Sequence, residues 1–533
     1  MTKPILLDAP LLDAYQLEAL LGERFAHTSE KLSDIPHPSL LKDGVKAAQR
    51  IAHALHHRQT IALVGDYDVD GVTSTAIVQR FFHLIHYPLL VTIPNRFTDG
   101  YGVSKGVLER IEADIIITVD NGINAIEAAH VCKVRGIDLI ITDHHTVGEN
   151  LPDAYAIVNP KQADCPYPFK AICGAQVAWL LMGLVKSELK LSLDMSQFFP
   201  FLALAIVADV MPLVGINRTL VKAGLTMMNH STLPAFVVIQ ETLKKTTLSS
   251  EDIGFQIAPR INSAGRLEDA SLALNFLSAP TLQEAYHHFE ILTELNTHRK
   301  TIEAHTTAQA IREVNPNDPV IVVAGEGWNE GVVGIVASRL VNQFQKPAIV
   351  LSIHEGIAKG SGRSIGNVDL YTLIQSQASL LTKFGGHTMA AGLSMDIGVL
   401  ESFRQGINDV ASQLDPHDFI PKSEVIGELK HDAIDLGLLE LLEKFEPYGE
   451  GNPRPRFLLR NAWVIKSTLF GAEKTHSRLE LRPSHLSPKT LEFIAFSKVL
   501  SLPDEGTMNC SYTVAKNEFR GKISMQLMVE KVF

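Results

Sequence analysis

Between Thr60 and Pro160, short apolar runs rich in β-branched residues alternate with stretches of helical periodicity, the pattern of βαβ units around a parallel sheet. The runs are IALV (61–64), LLVTI (89–93), DIIITV (114–119), DLIIT (138–142) and AIV (156–158). Three of them lead into acidic or histidine-bearing turns: Asp66 follows the first, Asp120 the third, and Asp143-His144-His145 the fourth. Open α/β sheets bind ligands at the carboxyl ends of their strands, so three turns far apart in sequence are predicted to meet in one crevice.

Farther along, Leu282, Ala285, Phe289, Leu292 and Ile302 recur at helical spacing, opened by Thr281 after a proline and stopped by Asn315-Pro316. The spacing predicts a helix of ~50 Å at 1.5 Å per residue, long enough to bridge two domains. A second α/β pattern follows, with a strand at IVVAG (321–325), a helix over VGIVASRLVNQF and a strand at AIVLS (348–352). Glycine-rich turns are expected at GSGRS and FGGH. From Val425 a Pro/Gly break, EPYGEGNPRPRF, precedes short strand-like runs, which predict a small barrel or sandwich. The fold class is therefore α/β: a parallel-sheet domain and a second, smaller α/β domain joined by a long helix, plus a C-terminal β-barrel. The expected divisions are an N-terminal segment (1–40), the first α/β domain (41–225), a helical connector (226–315), the second α/β domain (316–415) and the barrel (425–533).

A chain of 533 residues is too long for one core. With 46% hydrophobic and 20% charged residues it has the material for several, without the signature of bulk disorder. Its four cysteines are scattered and form no close pair, which argues against a disulfide framework or a zinc knuckle and for reduced thiols in a cytoplasm. The first residues carry acids among their leucines and lack the order of a signal peptide, and no apolar run is long enough to span a membrane. The net charge of −11 excludes a surface that coats nucleic acid throughout, but leaves room for a local basic groove. Part of that charge is expected in clustered carboxylates that a cation neutralises.

DYDVDG places Asp66, Asp68 and Asp70 at alternate positions after a strand. Carboxylates that close raise one another's cost of ionisation unless a cation lies between them, and hard divalent ions favour such oxygens. Taken alone, this motif is equally a solvated turn or a calcium loop. VDNG adds Asp120, DHH adds Asp143, His144 and His145, and VADVMPL adds Asp209. One such aspartate is ordinarily a cap, but four converging motifs are not. A mixed Asp/His set suits paired manganese or magnesium ions, which activate water and stabilise phosphoryl oxygens during in-line attack. The chemistry implied is phosphate-ester hydrolysis.

In this order the four motifs resemble those of the DHH phosphoesterases. IPNRFTDGYG (93–102), APRINSAGRLEDA (258–270), GVVGIVASRL (331–340), GSGRS (360–364), FGGHTMAAG (384–392) and PYGEGNPRPRF (447–457) resemble signatures of the RecJ exonucleases within that superfamily. The resemblance implies a DHH domain, its associated α/β domain and an oligonucleotide-binding (OB) barrel. It implies two divalent metals, one held by Asp66, Asp68 and Asp120 and the other by Asp70, Asp120, His144 and Asp209, with the choice among the first-motif aspartates left open. Asp143 is expected to orient His144, and His145 to face the scissile phosphate. Arg260, Arg266, Ser361, Arg363 and His387 are the candidate substrate-binding residues, GSGRS and FGGH acting as phosphate cradles. Ordinary turn glycines, and an ion pair of the two arginines with Glu268 or Asp269, are the competing readings. Asn296, Arg299 and Glu303 on the long helix either serve the cleft or form a solvated face. Trp328 is expected in the core, and Tyr67 and Tyr101 are candidates for stacking on bases. Two positions depart from the family pattern: Val69 where alanine is usual, and Asn329 where histidine is expected.

The resemblance implies a 5′→3′ exonuclease specific for single-stranded DNA that releases 5′-mononucleotides in repair and recombination. Such an enzyme would act as a monomer in the cytoplasm, with a single-strand-binding protein and a RecQ-type helicase as candidate partners. Two alternatives share the motifs: a phosphodiesterase of short oligonucleotides or cyclic dinucleotides, and a DNA-binding scaffold without catalysis. The first does not explain the C-terminal barrel, and the second does not explain a complete ligand set.

Overall fold

The structure, a computed structural model, describes residues 9–26, 31–421, 425–471, 474–483, 489–496, 498–500, 506–519 and 522–533. Residues 1–8, on which the signal-peptide expectation partly rests, lie outside the described residues. The chain divides into two compact units, one of residues 36–209 and 223–422, the other of residues 1–35, 210–222 and 423–533.

The first unit contains two sheets. In the first sheet β1 (Ile61–Val64), β2 (Leu90–Thr92), β3 (Ile115–Val119), β4 (Asp138–Thr142) and β5 (Ala156–Val158) lie in the order β2-β1-β3-β4-β5. All four pairings are parallel. The chain runs from β1 outward to β2 and returns to the other side of β1 with β3, which makes the β1/β3 boundary the switch point where such sheets open a crevice. β1 and β3 are buried throughout because helices cover both faces. Helix α1 (Val69–Leu84) follows β1 directly, with Asp68 capping it by accepting from the Gly71 N–H. Helices α2 (Gly174–Glu188) and α3 (Phe199–Ala208) complete the layer; α3 is almost wholly buried and ends at Asp209. Val69 is a buried residue of α1, so its extra bulk sits in the core.

Helix α4 (Ala258–Leu267) packs on α5 (Leu282–Arg312), the predicted long helix, whose N-cap is Thr281. The second sheet contains β6 (Ile321–Glu326), β7 (Ala348–His354), β8 (Ile357–Arg363), β9 (Lys383–His387) and β10 (Ala390–Asp396) in the order β9-β10-β8-β7-β6, with α6 (Val333–Phe344) between β6 and β7. Only β6 and β7 pair in parallel.

GSGRS and FGGH are therefore not turns, as expected from their glycines, but strand segments in β8 and β9. The first glycine of the motif has a different cause: a Cβ on Gly360 would stand 1.9 Å from the Val350 carbonyl oxygen of the adjoining strand. The motif is flat backbone under close approach, and no nest of successive N–H groups forms there.

In the second unit, β11 (Val425–Leu429), β12 (Arg456–Phe470), β13 (His476–Arg482), β14 (Leu491–Ala495), β15 (Thr507–Phe519) and β16 (Lys522–Val532) form one sheet with the short Leu11–Leu12 strand. β12 pairs with β13 through its second half and with β15 through its first, so the pairings β12-β13-β14-β16-β15 return to β12. The PYGEGNPRPRF signature has a structural role in this unit. Asn452, fully buried, donates from Nδ2 to the Phe445 and Pro447 carbonyls, and the Glu450 carbonyl accepts from the Leu213 N–H. Arg218, 1% exposed, donates to the Phe445 carbonyl at 2.9 Å. Among the described residues no helix is long and apolar enough to cross a membrane, and all four cysteines are free and buried.

Candidate active site

The carboxyl ends of β1, β3 and β4 and the end of α3 deliver the four acidic motifs to one place. His144 Nε2 lies 3.2 Å from Asp120 Oδ1, 3.5 Å from Asp209 Oδ2 and 3.7 Å from Asp70 Oδ2. Three sets of side chains bring their ligand atoms within 4.8 Å of one another: Asp66, Asp68 and Asp120; Asp70, His144 and Asp209; and Asp120, His144 and His145. Asp120 belongs to two of the three. It sits at φ 62°, left-handed backbone that aspartate tolerates through its short polar side chain and that turns its carboxylate back over the strand ends.

The electrostatics favour a cation among these groups. Burial, then repulsion from neighbouring aspartates, pushes the Asp66, Asp120 and Asp209 carboxyls well above the usual carboxylate range. Burial and Asp68 raise Asp70 to about 6. Asp66 Oδ1, Asp120 Oδ1, Asp209 Oδ2 and His144 Nε2 are buried without a hydrogen-bond partner. Buried polar atoms are ordinarily paired. Several hard oxygens and one imidazole nitrogen, orphaned and facing one another, are the donor set that divalent manganese or magnesium takes.

Chelation supplies a check on this reading. A folded-state carboxyl pKa raised above its unfolded value favours folding at low pH and loses that contribution as pH rises through the folded pKa. From the usual carboxylate range up through about pH 6, where Asp70 titrates, these aspartates should therefore increasingly destabilise the metal-free protein. The melting-temperature gain from Mn2+ over EDTA, measured by differential scanning fluorimetry, is expected to grow with pH over that window. At a hundred times its dissociation constant the ion contributes about 2.7 kcal/mol. An equal gain at both ends of the window would show that these carboxylates do not bind the ion.

The two histidines of the DHH motif divide the work differently from expectation. Asp143 does not orient the His144 ring. Its Oδ1 accepts from the backbone N–H groups of His144 and His145 and, at 2.8 Å, from His145 Nδ1. An aspartate bonding the next two N–H groups folds the chain so that the second ring, not the first, returns to its carboxylate. Burial alone would lower the His145 pKa, but the hydrogen bond and charge of Asp143 raise it to about 9. His144, buried and beside that cation, falls to about 3 and stays a neutral imidazole. One imidazole is thus held neutral and the other cationic.

A cleft of about 1460 Å³ extends from this cluster between the two sheets of the first unit, lined by Tyr67, Arg96, Tyr101, His145, Ser361 and His387 among others. Of the predicted binding residues, His145, Ser361 and His387 line it, whereas Arg260, Arg266 and Arg363 are not among its lining residues. Arg363 donates to the Ser361 hydroxyl at 2.7 Å. Arg266 is part-buried and donates to the Gly331 carbonyl at 2.9 Å. Burial, then the neighbouring Arg96 and Arg299 guanidinium groups, pulls its pKa down to about 10. Arg260 donates to the Gln256 carbonyl and lies over the Phe289 ring. Among the described residues neither Arg260 nor Arg266 pairs with Glu268 or Asp269.

Asn296, Arg299 and Glu303 are 4%, 7% and 5% exposed, which rules out a solvated face. Arg299 bonds Asn296 and Glu303, and Glu303 accepts from Arg339 Nε at 2.8 Å, joining α5 to α6. Trp328 is in the core, its Nε1 donating to Gln309. One face of Tyr67 is taken by the Arg96 guanidinium 4.1 Å from its centroid, and Tyr101 meets both Tyr67 and His145 edge-on. Asn329 Oδ1 accepts from the Gly331 N–H and so shapes the turn that leads into α6, a role that needs no titratable group.

Sequence reasoning missed the start of α2. The N–H groups of Gly174 and Ala175 donate to Asp70 Oδ2 and Oδ1 at 2.5 and 2.9 Å. The available signal was a glycine opening an apolar helix, in ICGAQVAWLL. Arg96, inside a quoted motif, was also not singled out.

Three family profiles match along the chain: the DHH family N-terminal domain at residues 60–206, the DHHA1 domain at 317–413 and the RecJ OB domain at 427–531. The single-stranded-DNA-specific exonuclease RecJ of Dickeya dadantii is 34% identical over 93% of this chain and 91% of its own length. The chain belongs to the RecJ family. The Escherichia coli RecJ is 32% identical over 92% of this chain and 90% of its own length. The Bacillus subtilis RecJ is 36% identical over 89% of this chain, which spans only 60% of that relative. Among solved structures, the Thermus thermophilus RecJ with Mn2+ superposes at a TM-score of 0.82 with 28% identity, covering 98% of this chain and 75% of that one. An exonuclease RecJ bound to manganese gives 0.62 with 31% identity over 72% and 97%.

Proposed function

We propose that this chain is an exonuclease that hydrolyses single-stranded DNA from its 5′ end and releases 5′-mononucleotides. The observation that carries the proposal is the set of orphaned donors of Asp66, Asp120, His144 and Asp209 at one end of a cleft lined by Arg96 and His145. RecJ relatives described as single-stranded-DNA-specific exonucleases support the substrate.

Asp66, Asp68 and Asp120 would hold one divalent cation, and Asp70, His144 and Asp209 a second, with Asp120 shared. When bound, such a pair supplies an activated water and neutralises charge on the phosphoryl oxygens. The protein does the rest. Neutral His144 offers a lone pair rather than a proton. His145, held cationic by Asp143, faces the cleft where it can pair with the scissile phosphate. Ser361 and His387 on the opposite wall contact the backbone, and Arg266 and Arg363 supply positive potential. Because that contact is largely electrostatic, salt weakens substrate binding.

On this reading the domains are 41–225, 226–315, 316–415 and 425–533 after an N-terminal segment. A single-strand-binding protein, a RecQ-type helicase, a monomeric state and a cytoplasmic role in repair and recombination belong to the same proposal.

The test is a time course with Mn2+ on a single strand labelled in separate reactions at either end, beside the same strand as duplex and as RNA. Immediate release of 5′-labelled mononucleotide from single-stranded DNA alone is expected. Turnover confined to dinucleotides or RNA would move the assignment to a short-oligonucleotide phosphodiesterase. Binding without cleavage would move it to a scaffold.

A further inference from the structure

We propose that the first turn of α2 is a positioning device for Asp70, and that Cys173 and Gln176 are the positioning residues that fix it. The proposal deepens the reading of Asp70 as a metal ligand and rests on it.

Four observations carry it. Each oxygen of Asp70 accepts one backbone N–H from the helix start, Gly174 to Oδ2 and Ala175 to Oδ1. Its partner in the same ligand group, Asp209, has an Oδ2 with no donor. A carboxylate at a helix N-terminus is favoured by the dipole and by unsatisfied N–H groups together. Here the helix end therefore both aims Asp70 and favours its charge.

That helix start is itself locked by a reciprocal cap: the Cys173 sulfur accepts from the Gln176 N–H, and Gln176 Oε1 accepts from the Cys173 N–H at 3.0 Å. Both residues are buried, at 0% and 1% exposure, so neither cap bond competes with solvent. Serine, threonine or aspartate ordinarily fills the cap. An aspartate here would put one more carboxylate beside Asp70, which a thiol avoids.

Finally, Gly174 lets the turn come this close. A Cβ there would stand 2.6 Å from both Cβ and Oδ1 of Asp120. The same turn thus bonds one ligand and abuts another, and a small rotation of α2 moves both. Groups that orient metal ligands typically change affinity by about 10–100-fold when removed.

The experiment uses the full chain and reads Mn2+ binding without DNA, by electron paramagnetic resonance of the free ion. Cys173→Ala and Gln176→Leu each remove one half of the cap at separate positions, so one remains informative if the other does not fold. Cys173→Ser keeps the cap. Both cap-breaking variants are expected to raise the dissociation constant of one of the two ions about tenfold or more. Cys173→Ser should stay near the wild type, and DNA affinity in EDTA should be unchanged in all three. Unaltered Mn2+ binding in Cys173→Ala and Gln176→Leu would overturn the proposal, as would Cys173→Ser binding as weakly as Cys173→Ala, which would trace the effect to volume. Asp70→Asn is the control: retention of both ions there would remove Asp70 from the ligand set, a different failure from an inert cap.

Discussion

Asp120→Asn is expected to lower the hydrolysis of single-stranded DNA by at least about a thousandfold, on the order of 4 kcal/mol of transition-state stabilisation. Its ligand atoms fall in two of the three donor sets, and Asp120 Oδ1 lies nearest His144 Nε2. Asparagine is the informative replacement. At φ 62° a β-carbon without a polar partner costs about 1–2 kcal/mol, so Asp120→Ala mixes backbone strain with ligand loss, whereas asparagine tolerates that conformation. The sign on stability is opposite to that on activity. Burial and the surrounding aspartates already disfavour the charged form of Asp120, so a neutral amide should leave the metal-free melting temperature unchanged or higher. Single-turnover hydrolysis with Mn2+ and a melt in EDTA check both halves. Robust cleavage by the folded variant would remove the two-metal assignment.

Arg266→Met should weaken single-stranded DNA binding by about a hundredfold, or ~3 kcal/mol, the scale seen when a buried charged partner is lost. The Arg266 guanidinium is part-buried, donates to one carbonyl, and lies in the field of Arg96, Arg299 and Arg363. Such a concentration of positive charge is unfavourable until an anion arrives, and replacing a buried charge by an apolar chain of similar length is often neutral or stabilising. The melting temperature of the free protein should accordingly hold or rise as affinity falls. Fluorescence anisotropy across a salt series reads the affinity and its salt slope, which should become shallower. A variant that binds DNA normally but melts early would make Arg266 a structural residue of the α4–α6 contact.

The parallel sheet was legible because its inner strands are buried on both faces and appear as continuous apolar runs, and because its turns carry the reactive residues immediately afterwards. The long helix was legible from its cap and stop signals, and α5 begins after Thr281 as predicted. The glycine motifs were misread because composition does not separate the two physical reasons for glycine. GSGRS looks like a turn, yet Gly360 is there because β7 backbone lies against it. Asn296, Arg299 and Glu303 have the spacing of a solvated helical face, and only the packing of α4 and α6 against α5 buries them.

What the sequence by itself determined is the identity of the donors and their delivery, since each acidic motif is tied to a strand or helix end and sheet topology then carries it to the switch point. What only the tertiary structure decided is how each side chain is used. Asp143 bonds the His145 ring and not the His144 ring, Asp70 is gripped by a helix start about a hundred residues away in the chain, and Arg266 donates to the Gly331 carbonyl. Local patterns encode what a residue can do with its near neighbours in the chain. Which distant backbone N–H, carbonyl or charge it meets is settled by how the layers pack, and no local pattern carries that.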